Sequence, residues 1–258
     1  MRWESLTGPE LKALAGQDVT PILPVGSLEQ HGPHLPVWTD SYIAHNMALR
    51  TAEKAKTTCV VLPPIWLGLS EHHLPFGGTI SSDYAAFNAI IRSVVRSLKA
   101  LGFKRLLIIN GHGGNIEPLA VSVRECAHEF AMPVVSVNWP SAAPEAIAAT
   151  LTTQPRVMHA CEGETSVWLA LDATQVRQDR IPAPINAPPE APAGYSRFYS
   201  FWEKAAPTGV RGDARAATKE KGEAIIEACA SAMAAAVDNP VLWTAPDPVW
   251  AAGRGLES

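Results

Sequence analysis

Short runs of apolar residues recur along the chain, each of a length typical of a buried strand. The clearest is "KRLLIIN", whose continuous Leu and Ile content is typical of a strand that is covered on both faces. The others are "VTPILPVGS", "TCVVLPPI" and "PVVSVNW". The pattern therefore predicts four strands, over 19–27, 58–65, 104–110 and 133–139.

Longer segments whose apolar positions follow the helical period lie between and after these runs. In the segment after "GHGGN" these positions are Ile116, Leu119, Ala120, Val123 and Ala127. Ser82 or Asp83 can cap a helix that runs to Leu101. We predict helices over 41 to about 56, 83–101, about 116–127, 143–150, 162–171 and roughly 214–237. The proline-rich segment 181–193 is predicted to be a surface loop.

The alternation of strands and helices with short connections predicts the fold class. Such a chain is typical of an α/β protein with a mostly parallel sheet covered by helices on both faces. We find no internal repeat and no domain boundary, so the prediction is a single domain over 1–258. Ligands of such sheets bind at the carboxyl ends of the strands. The residues that follow each predicted strand are therefore the first place to look for chemistry.

Composition narrows the class of protein. The chain has 258 residues, 47% of them hydrophobic and 18% charged, and a formal net charge of -4 without a basic stripe, which argues against a nucleic-acid partner. The four cysteines lack metal-ribbon spacing and are typical of thiols in a reducing compartment. The start lacks the apolar core of a signal peptide, and no run approaches the ~18 apolar residues of a membrane helix. We therefore expect a cytoplasmic protein without a membrane partner.

The segment "SLEQHGPHLPVWTDS" follows the first predicted strand and is crowded with side chains that can bind metals. Glu29 and His31 are two residues apart, so they point to the same side of an extended segment. A carboxylate beside an imidazole suits a divalent metal, although an ordinary polar loop fits as well. Asp40 is placed to cap a helix starting at Ser41, and a carboxylate there can also bridge two metals.

Two further segments carry similar side chains. "LLIINGHGGN" matches neither the dinucleotide pattern nor the P-loop, so His112 in its glycine-rich turn is either a metal ligand or a structural histidine. "HACEGETS" carries His159, Glu162 and Glu164 at the predicted start of a helix. Its carboxylates either interact favourably with the helix dipole or supply a metal ligand and a general base.

Taken together, these motifs resemble those of the creatininase (creatinine amidohydrolase) family. The resemblance rests on "LPVGSLEQHGPHLPVWTD", "GLSEHHLPFGGTIS", "NGHGGN", "HACEGETS" and "GVRGDARAATKEKG", and it covers residues from about 20 to 225. It implies a single-domain three-layer α/β/α sandwich with a hydrolytic site for two divalent metal ions, zinc, manganese or iron. It also implies a homo-hexamer built as a trimer of dimers.

The resemblance assigns metal-binding roles to individual residues. Glu29, His31, Asp40 and His112 match metal ligands, with Asp40 in the bridging position. Creatinine-hydrolysing members resemble "NGHYEN", whose Glu is a ligand, whereas this chain has Gly114 there. The Glu of "ETS" looks like the substitute, so Glu164 is assigned as the fifth ligand, with Glu162 as the alternative.

Two positions depart from the family pattern. Cys161 stands where the family usually has glycine. It is either a small packed residue or a thiol that lines the site. Gly77 replaces a usual proline. His34, in the first motif, is not assigned to the site.

The expected activity is hydrolysis of a C–N bond in a small, cyclic or formylated, amide. Glu162 and His159 are the expected proton-transfer groups, and three residues are expected to bind the substrate: His73, Trp139 and Trp168. The alternatives are hydrolysis of a ring ketone of the oxidised-inositol type and cleavage of a peptide precursor of a cofactor. Two further hypotheses are a non-catalytic small-molecule binding protein and a nucleotide-binding module that uses "NGHGGN".

Overall fold

The four predicted strands form one parallel sheet. The computed structural model describes residues 1–186, 192 and 197–245. The strands are β1 (Val19–Val25), β2 (Thr58–Val61), β3 (Leu106–Asn110) and β4 (Val134–Asn138), in the spatial order β2-β1-β3-β4. All three pairings are parallel, with Ile22 opposite Val61 on one side and Leu107 on the other. The prediction of a parallel α/β sheet is confirmed.

Helices follow the strands and cover both faces of the sheet. They are α1 (Gly8–Ala15), α2 (Thr39–Lys54), α3 (Tyr84–Leu101), α4 (Ile116–Phe130), α5 (Pro144–Thr150), α6 (Glu162–Asp172), α7 (Trp202–Ala205) and α8 (Lys219–Val237). Asp83 caps α3 by accepting a hydrogen bond from the Ala86 N–H at 2.9 Å, and Gly102 ends it in the left-handed conformation. Among the described residues, no helix has the length and apolarity that crossing a membrane requires.

Two apolar cores lie on the two faces of the sheet. Neighbouring strand residues point to opposite faces, so Ile22 packs in one core and Leu23 in the other. The first core holds side chains of α2, α5, α6 and α8, and the second holds side chains of α1, α3 and α4. The result is the expected three-layer α/β/α arrangement.

Several predicted boundaries differ from the observed ones. Helix α2 begins at Thr39, so Asp40 lies in the first turn of this helix and is not its cap. The last long helix begins at Lys219, and residues 214–216 form a separate turn of 3-10 helix. The short helices α1 and α7 were not predicted. Residues 181–186 and 192 have no helix or strand, as expected, and the rest of the predicted loop 181–193 lies outside the described residues.

The carboxyl end of the sheet is where the predicted site residues meet. β1 runs into the loop that carries Glu29 and His31, and β3 runs into His112. A side chain at Gly111 would place its Cβ 2.2 Å from the backbone oxygen of Asp40. Glycine is therefore required there, because the turn after β3 touches the first turn of α2. This contact brings His112 and Asp40 together.

Candidate metal centre

The five predicted metal ligands converge in one buried cluster. Asp40 Oδ1 lies 3.1 Å from His31 Nε2, and Asp40 Oδ2 lies 2.9 Å from His112 Nδ1. Glu29 Oε2 lies 3.1 Å from His112 Nδ1, and Glu164 Oε2 lies 3.8 Å from His31 Nε2. Each of the five residues is at most 5% exposed. Residues far apart in the sequence therefore meet at one point.

Glu29, His31 and His159 form one group of potential ligands, and two further groups share Asp40. Glu29, Asp40 and His112 form one group, and His31, Asp40 and Glu164 form the other. In each group the potential ligand atoms lie within 4.8 Å of one another. Because each Asp40 oxygen faces a different imidazole, this carboxylate has the geometry of a bridge between two positions.

Each of the two imidazoles contacts a backbone oxygen with one ring nitrogen and faces the cluster with the other. His31 Nδ1 lies 3.1 Å from the backbone oxygen of Glu29, and His112 Nε2 lies 2.9 Å from that of Leu69. A carbonyl oxygen only accepts hydrogen bonds, so these nitrogens carry the hydrogens. His31 Nε2 and His112 Nδ1 then face the carboxylates, and once deprotonated they would offer their lone pairs to a metal in the tautomer that metal-binding histidines adopt.

The donor set fits a divalent metal ion. His31 Nε2 and Asp40 Oδ2 are buried and have no hydrogen-bond partner among the described residues. Burial lowers the pKa of His31, but Asp40, Glu164 and Glu29 outweigh it and raise this pKa to about 9. Burial raises the pKa of Glu164 to about 8. The cluster thus brings three carboxylates and two imidazoles together in a buried site, and imidazole and carboxylate ligands together suit zinc, manganese or iron.

Surrounding groups hold the carboxylates in place. The backbone N–H of Ala160 donates to Glu164 Oε2 at 2.5 Å, and Ser70 Oγ donates to Glu29 Oε2 at 2.5 Å. Ser70 Oγ also lies 3.1 Å from His112 Nε2. These contacts fix the orientation of the ligands, as hydrogen bonds outside a metal's own ligands usually do.

Gly114 explains why the second group takes its glutamate from α6. A Cβ at this position would lie 2.4 Å from His112 Nε2 and 2.4 Å from the backbone oxygen of Leu69. No side chain fits there without displacing His112. Position 114 therefore supplies no ligand, and the glutamate of the second group is Glu164, beside His31.

The structure does not bring Glu162 to the cluster, which corrects its predicted role as a proton carrier or alternative ligand. Residues i and i+2 of a helix do not face the same side, so Glu162 and Glu164 diverge. The Glu162 carboxylate accepts hydrogen bonds from the N–H and hydroxyl groups of Thr152 and Thr153, and Lys221 Nζ lies 2.5 Å away. Burial raises its pKa, but these donors outweigh burial and lower it to about 2. Glu162 ties α6 to α8.

His159 and His73 lie at the edge of the cluster, and Gln30 sets their tautomers. His159 Nε2 lies 2.8 Å from the backbone oxygen of Gln30, so it donates and leaves Nδ1 unprotonated. The Gln30 side-chain amide donates to His73 Nδ1 at 2.9 Å and to the Gly209 oxygen at 3.2 Å. His73 therefore carries its hydrogen on Nε2. His159 Nδ1 and His73 Nε2 lie 3.5 Å and 3.4 Å from Glu29 Oε1.

The two predicted tryptophans have different positions. Trp139 is buried and lines the cavity described below. Trp168 lies in the apolar core, where its Nε1 donates to Thr39 Oγ1 at 2.9 Å and its ring stacks on Tyr42 at 4.3 Å. The prediction that Trp168 binds substrate is therefore corrected: it holds the first turn of α2, next to Asp40.

Two other residues of the motifs stay outside the cluster. His34 Nε2 lies 3.0 Å from Thr165 Oγ1, and burial lowers the pKa of His34 to about 4. The Cys161 thiol accepts a hydrogen bond from the Met158 N–H at 3.2 Å, and burial raises its pKa to about 11. Cys161 is thus the packed residue of the two alternatives.

An open cavity of about 1410 Å³ leads to the cluster. Glu29, His112, His159 and Glu164 lie on its wall. The Phe201 ring stacks on His73 at 4.2 Å and meets His159 edge-on at 4.7 Å, so it covers the two histidines. Sequence patterns did not identify Phe201, because nothing in residues 197–205 shows that this ring lies against the two histidines.

Comparison with known proteins agrees with this geometry. A family model described as "Creatininase: Creatinine amidohydrolase" matches residues 4–237. The chain is 34% identical over 214 residues to a mycofactocin precursor peptide peptidase of Mycolicibacterium smegmatis, a match that covers 79% of this chain and 78% of the relative. It is 29% identical over 252 residues to a creatinine amidohydrolase of Pseudomonas putida, with 90% of this chain and 94% of the relative covered.

A solved structure shows the same fold. The chain superposes on a structure described as "Creatininase Mn" with a TM-score of 0.80 and 28% sequence identity. The superposition covers 92% of this chain and 96% of the other chain. The sheet and its flanking helices therefore belong to a known architecture.

Proposed function

The chain belongs to the creatininase family of hydrolases, and from that premise we propose that it cleaves the C–N bond of an amide with the help of two divalent metal ions. The observation that carries this proposal is the position of Asp40, whose two oxygens face the imidazoles of two separate ligand groups. In the proposed site Glu29, Asp40 and His112 hold one ion, and His31, Asp40 and Glu164 hold the other.

The proposed substrate is a small, cyclic or formylated, amide. Two divalent ions of zinc, manganese or iron, when bound by these residues, would lower the pKa of a water from ~15.7 towards ~7 and would polarise the amide carbonyl. Glycine at position 114 in place of the glutamate of "NGHYEN" argues against creatinine itself. Hydrolysis of a ring ketone stays a prediction from the family resemblance.

The histidines beside the cluster have separate roles in the proposed reaction. His159 keeps an unprotonated Nδ1 toward Glu29, so it can accept a proton and return it to the leaving nitrogen. Burial and then the neighbouring His31 hold the pKa of His159 well below its usual range, which keeps the ring neutral. His73 can only donate from Nε2, so it orients a carboxylate or a carbonyl and does not act as a base.

A second candidate is the cleavage of a peptide. The cavity of about 1410 Å³ exceeds the range of about 300–1000 Å³ that is usual for small-molecule pockets. One relative of this chain is named as a peptidase of a peptide precursor. Both candidates use the same bond cleavage, and they differ in how much of the cavity the substrate fills.

The assembly and location are also proposals. The family resemblance supports a homo-hexamer built as a trimer of dimers and a cytoplasmic location. Sedimentation velocity with metal-loaded protein measures the assembly directly. A monomer or dimer at micromolar concentration would contradict the hexamer.

Replacing Asp40 tests the function. In Asp40→Ala we expect bound metal to fall from two ions per chain to one or none, and hydrolysis of a panel of formamides, cyclic amides and short peptides to drop by roughly 1000-fold or more. Metal content is measured by elemental analysis and activity after reconstitution. The control is Asp179→Ala, an exposed position outside the cluster. Wild-type metal content and activity in Asp40→Ala would refute the two-metal site.

A further inference from the structure

We propose that His159 is a metal ligand as well as a proton acceptor, and that with Glu29 and His31 it forms an alternative position for the second proposed ion. This inference rests on the proposed function and concerns the same cavity. One potential ligand atom of each of these three residues lies within 4.8 Å of the other two. Asp40 has no part in this group, which distinguishes it from the two groups of the proposed active site.

The His159 ring has the orientation and the tautomer of a ligand. Its Nε2 donates to the backbone oxygen of Gln30 at 2.8 Å, and its Nδ1 lies 3.5 Å from Glu29 Oε1. His31 and His112 likewise contact a backbone oxygen with the ring nitrogen that faces away from the cluster. A carbonyl that accepts from the outer nitrogen is a usual partner of a metal-binding histidine. His159 therefore has the same arrangement as the two assigned histidine ligands.

Glu29 can contribute to two positions because its two oxygens face different partners. Oε2 lies 3.1 Å from His112 Nδ1, whereas Oε1 faces His159 Nδ1. An ionised carboxylate has lone pairs on both oxygens, so one oxygen can bind the first ion while the other completes the alternative position. His73 Nε2 lies 3.4 Å from Oε1 and can stay its hydrogen-bond donor.

The two positions of the second ion exclude each other because they share His31. His31 Nδ1 donates to the backbone oxygen of Glu29, so only Nε2 is left to bind an ion, and it has one lone pair. An ion on His31 therefore has two ways to complete its ligands. With Asp40 and Glu164 it occupies what we call the Glu164 position. With Glu29 and His159 it occupies what we call the His159 position.

The two positions differ in the kind of ligand that they offer. The Glu164 position has one imidazole and two carboxylates, and the His159 position has two imidazoles and one carboxylate. Two histidines and one glutamate bind zinc in some hydrolases, whereas manganese favours carboxylate oxygens. We therefore expect a second zinc ion to occupy the His159 position and a second manganese ion to occupy the Glu164 position.

The consequence for the proposed reaction concerns its proton acceptor. His159 Nδ1 has one lone pair, so it cannot bind an ion and accept a proton at the same time. Occupation of the His159 position therefore removes the acceptor, and the protein is inactive in this state although two ions are bound. The identity of the second ion thus regulates the site.

Anomalous diffraction from crystals loaded with zinc or with manganese locates the second ion in the wild-type protein. We expect the second zinc peak at about 2.1 Å from His159 Nδ1. The second manganese peak should lie at bonding distance from Glu164 and leave His159 free. A second zinc peak bound to Glu164, with His159 Nδ1 free, would overturn the inference and leave the two-metal site intact. A single peak with either metal would instead overturn the proposed two-metal function.

Two ligand substitutions give a crossed test in solution. His159→Gln should weaken binding of the second zinc ion at least about tenfold by chelator competition and leave manganese binding unchanged, since loss of an outer partner alone costs roughly 10–100-fold. Glu164→Gln should weaken binding of the second manganese ion in the same way and affect zinc several-fold less.

The control for both substitutions is His45→Gln, a half-buried position on α2 that belongs to none of the three ligand groups. It should change neither affinity. Equal losses for zinc and manganese in both ligand variants would overturn the assignment of the two metals to different positions. Circular dichroism checks folding, and the diffraction test decides the inference without any substitution if a variant does not fold.

Discussion

Replacing Glu162 by Gln separates a structural role of this carboxylate from a role in proton transfer. Its oxygens accept hydrogen bonds from the N–H and hydroxyl groups of Thr152 and Thr153 and pair with Lys221 Nζ. A glutamine side chain keeps the shape but directs an NH₂ group at some of these donors, and it leaves the Lys221 ammonium without its counter-charge. We therefore expect Glu162→Gln to destabilise the fold.

The size of the effect follows from the pKa of Glu162. Its donors lower this pKa from 4.5 to about 2, against the opposing effect of burial. A difference of about 2.5 pKa units corresponds to about 3 kcal/mol at about 1.4 kcal/mol per unit. The Lys221 side chain is 19% exposed, and solvent screening reduces the expected loss to about 2 kcal/mol. For a chain of this size, that loss lowers the melting temperature by roughly 4–8 °C.

The effect has a defined pH dependence. Because the pKa of Glu162 is lower in the folded chain than in the unfolded chain, its stabilisation is fully present above pH 4.5 and is lost as the pH falls towards about 2. Glu162→Gln lacks this contribution at every pH. The stability difference between the wild-type protein and the variant should therefore be constant from pH 7 to about 5 and shrink below that.

Urea unfolding followed by circular dichroism measures the difference at each pH. Glu227→Gln is the matched control, because Glu227 forms a similar ion pair with Lys54 but its side chain is 66% exposed, and we expect no measurable change. Bound metal and kcat of folded Glu162→Gln should stay within a few-fold of the wild-type values. If Glu162→Gln kept wild-type stability but lost roughly 100-fold or more in kcat, the structural role would be refuted and Glu162 would be a proton-transfer group.

Three further substitutions test other parts of the site. Gly114→Ala should displace His112 and weaken metal binding at least about tenfold by chelator competition, because its Cβ meets His112 Nε2 at 2.4 Å; wild-type affinity would contradict this. Gln30→Glu replaces the donor to His73 Nδ1 by an acceptor, so ¹⁵N NMR of zinc-loaded protein should show His73 change to the Nδ1–H tautomer and kcat should fall more than KM changes. An unchanged tautomer of His73 would show that Gln30 does not set it. Trp168→Phe should cost about 1–2 kcal/mol of stability through the lost hydrogen bond to Thr39 and leave KM unchanged. A changed KM at full stability would make Trp168 a substrate contact after all.

Local patterns were sufficient to predict the four strands and the helices α2–α6 and α8, although not all of their boundaries. The strand at Leu106–Asn110 is a continuous run of Leu and Ile, and Asp83 is a helix cap by residue type alone. The order of the strands was not accessible in this way. β1 contains Pro21 and Pro24, which favour an edge strand, yet it lies between β2 and β3. Its backbone still takes part in the sheet, since Pro21 lies opposite Val60 of β2 and Pro24 lies opposite Ile109 of β3.

The candidate metal ligands were also accessible from the sequence, because they follow successive predicted strands and their motifs resemble those of the creatininase family. The residues by themselves did not decide whether Glu162 or Glu164 is the ligand. Glu162 and Glu164 are two residues apart on α6, so their side chains point to nearly opposite sides of the helix. Which of them faces the site depends on how α6 packs. The packing turns Glu164 to His31 and Glu162 to Lys221.

The sequence by itself thus determined the kinds of elements, the parallel α/β class and the set of metal-competent side chains, because these depend on periodicity and residue type over a few positions. Only the tertiary structure decided that Asp40 faces two imidazoles, that Gln30 sets the tautomers of His73 and His159, and that Trp168 packs in the core. These features depend on contacts between residues up to 129 positions apart. Such contacts form only when helices and strands pack against one another, and no local pattern records that packing.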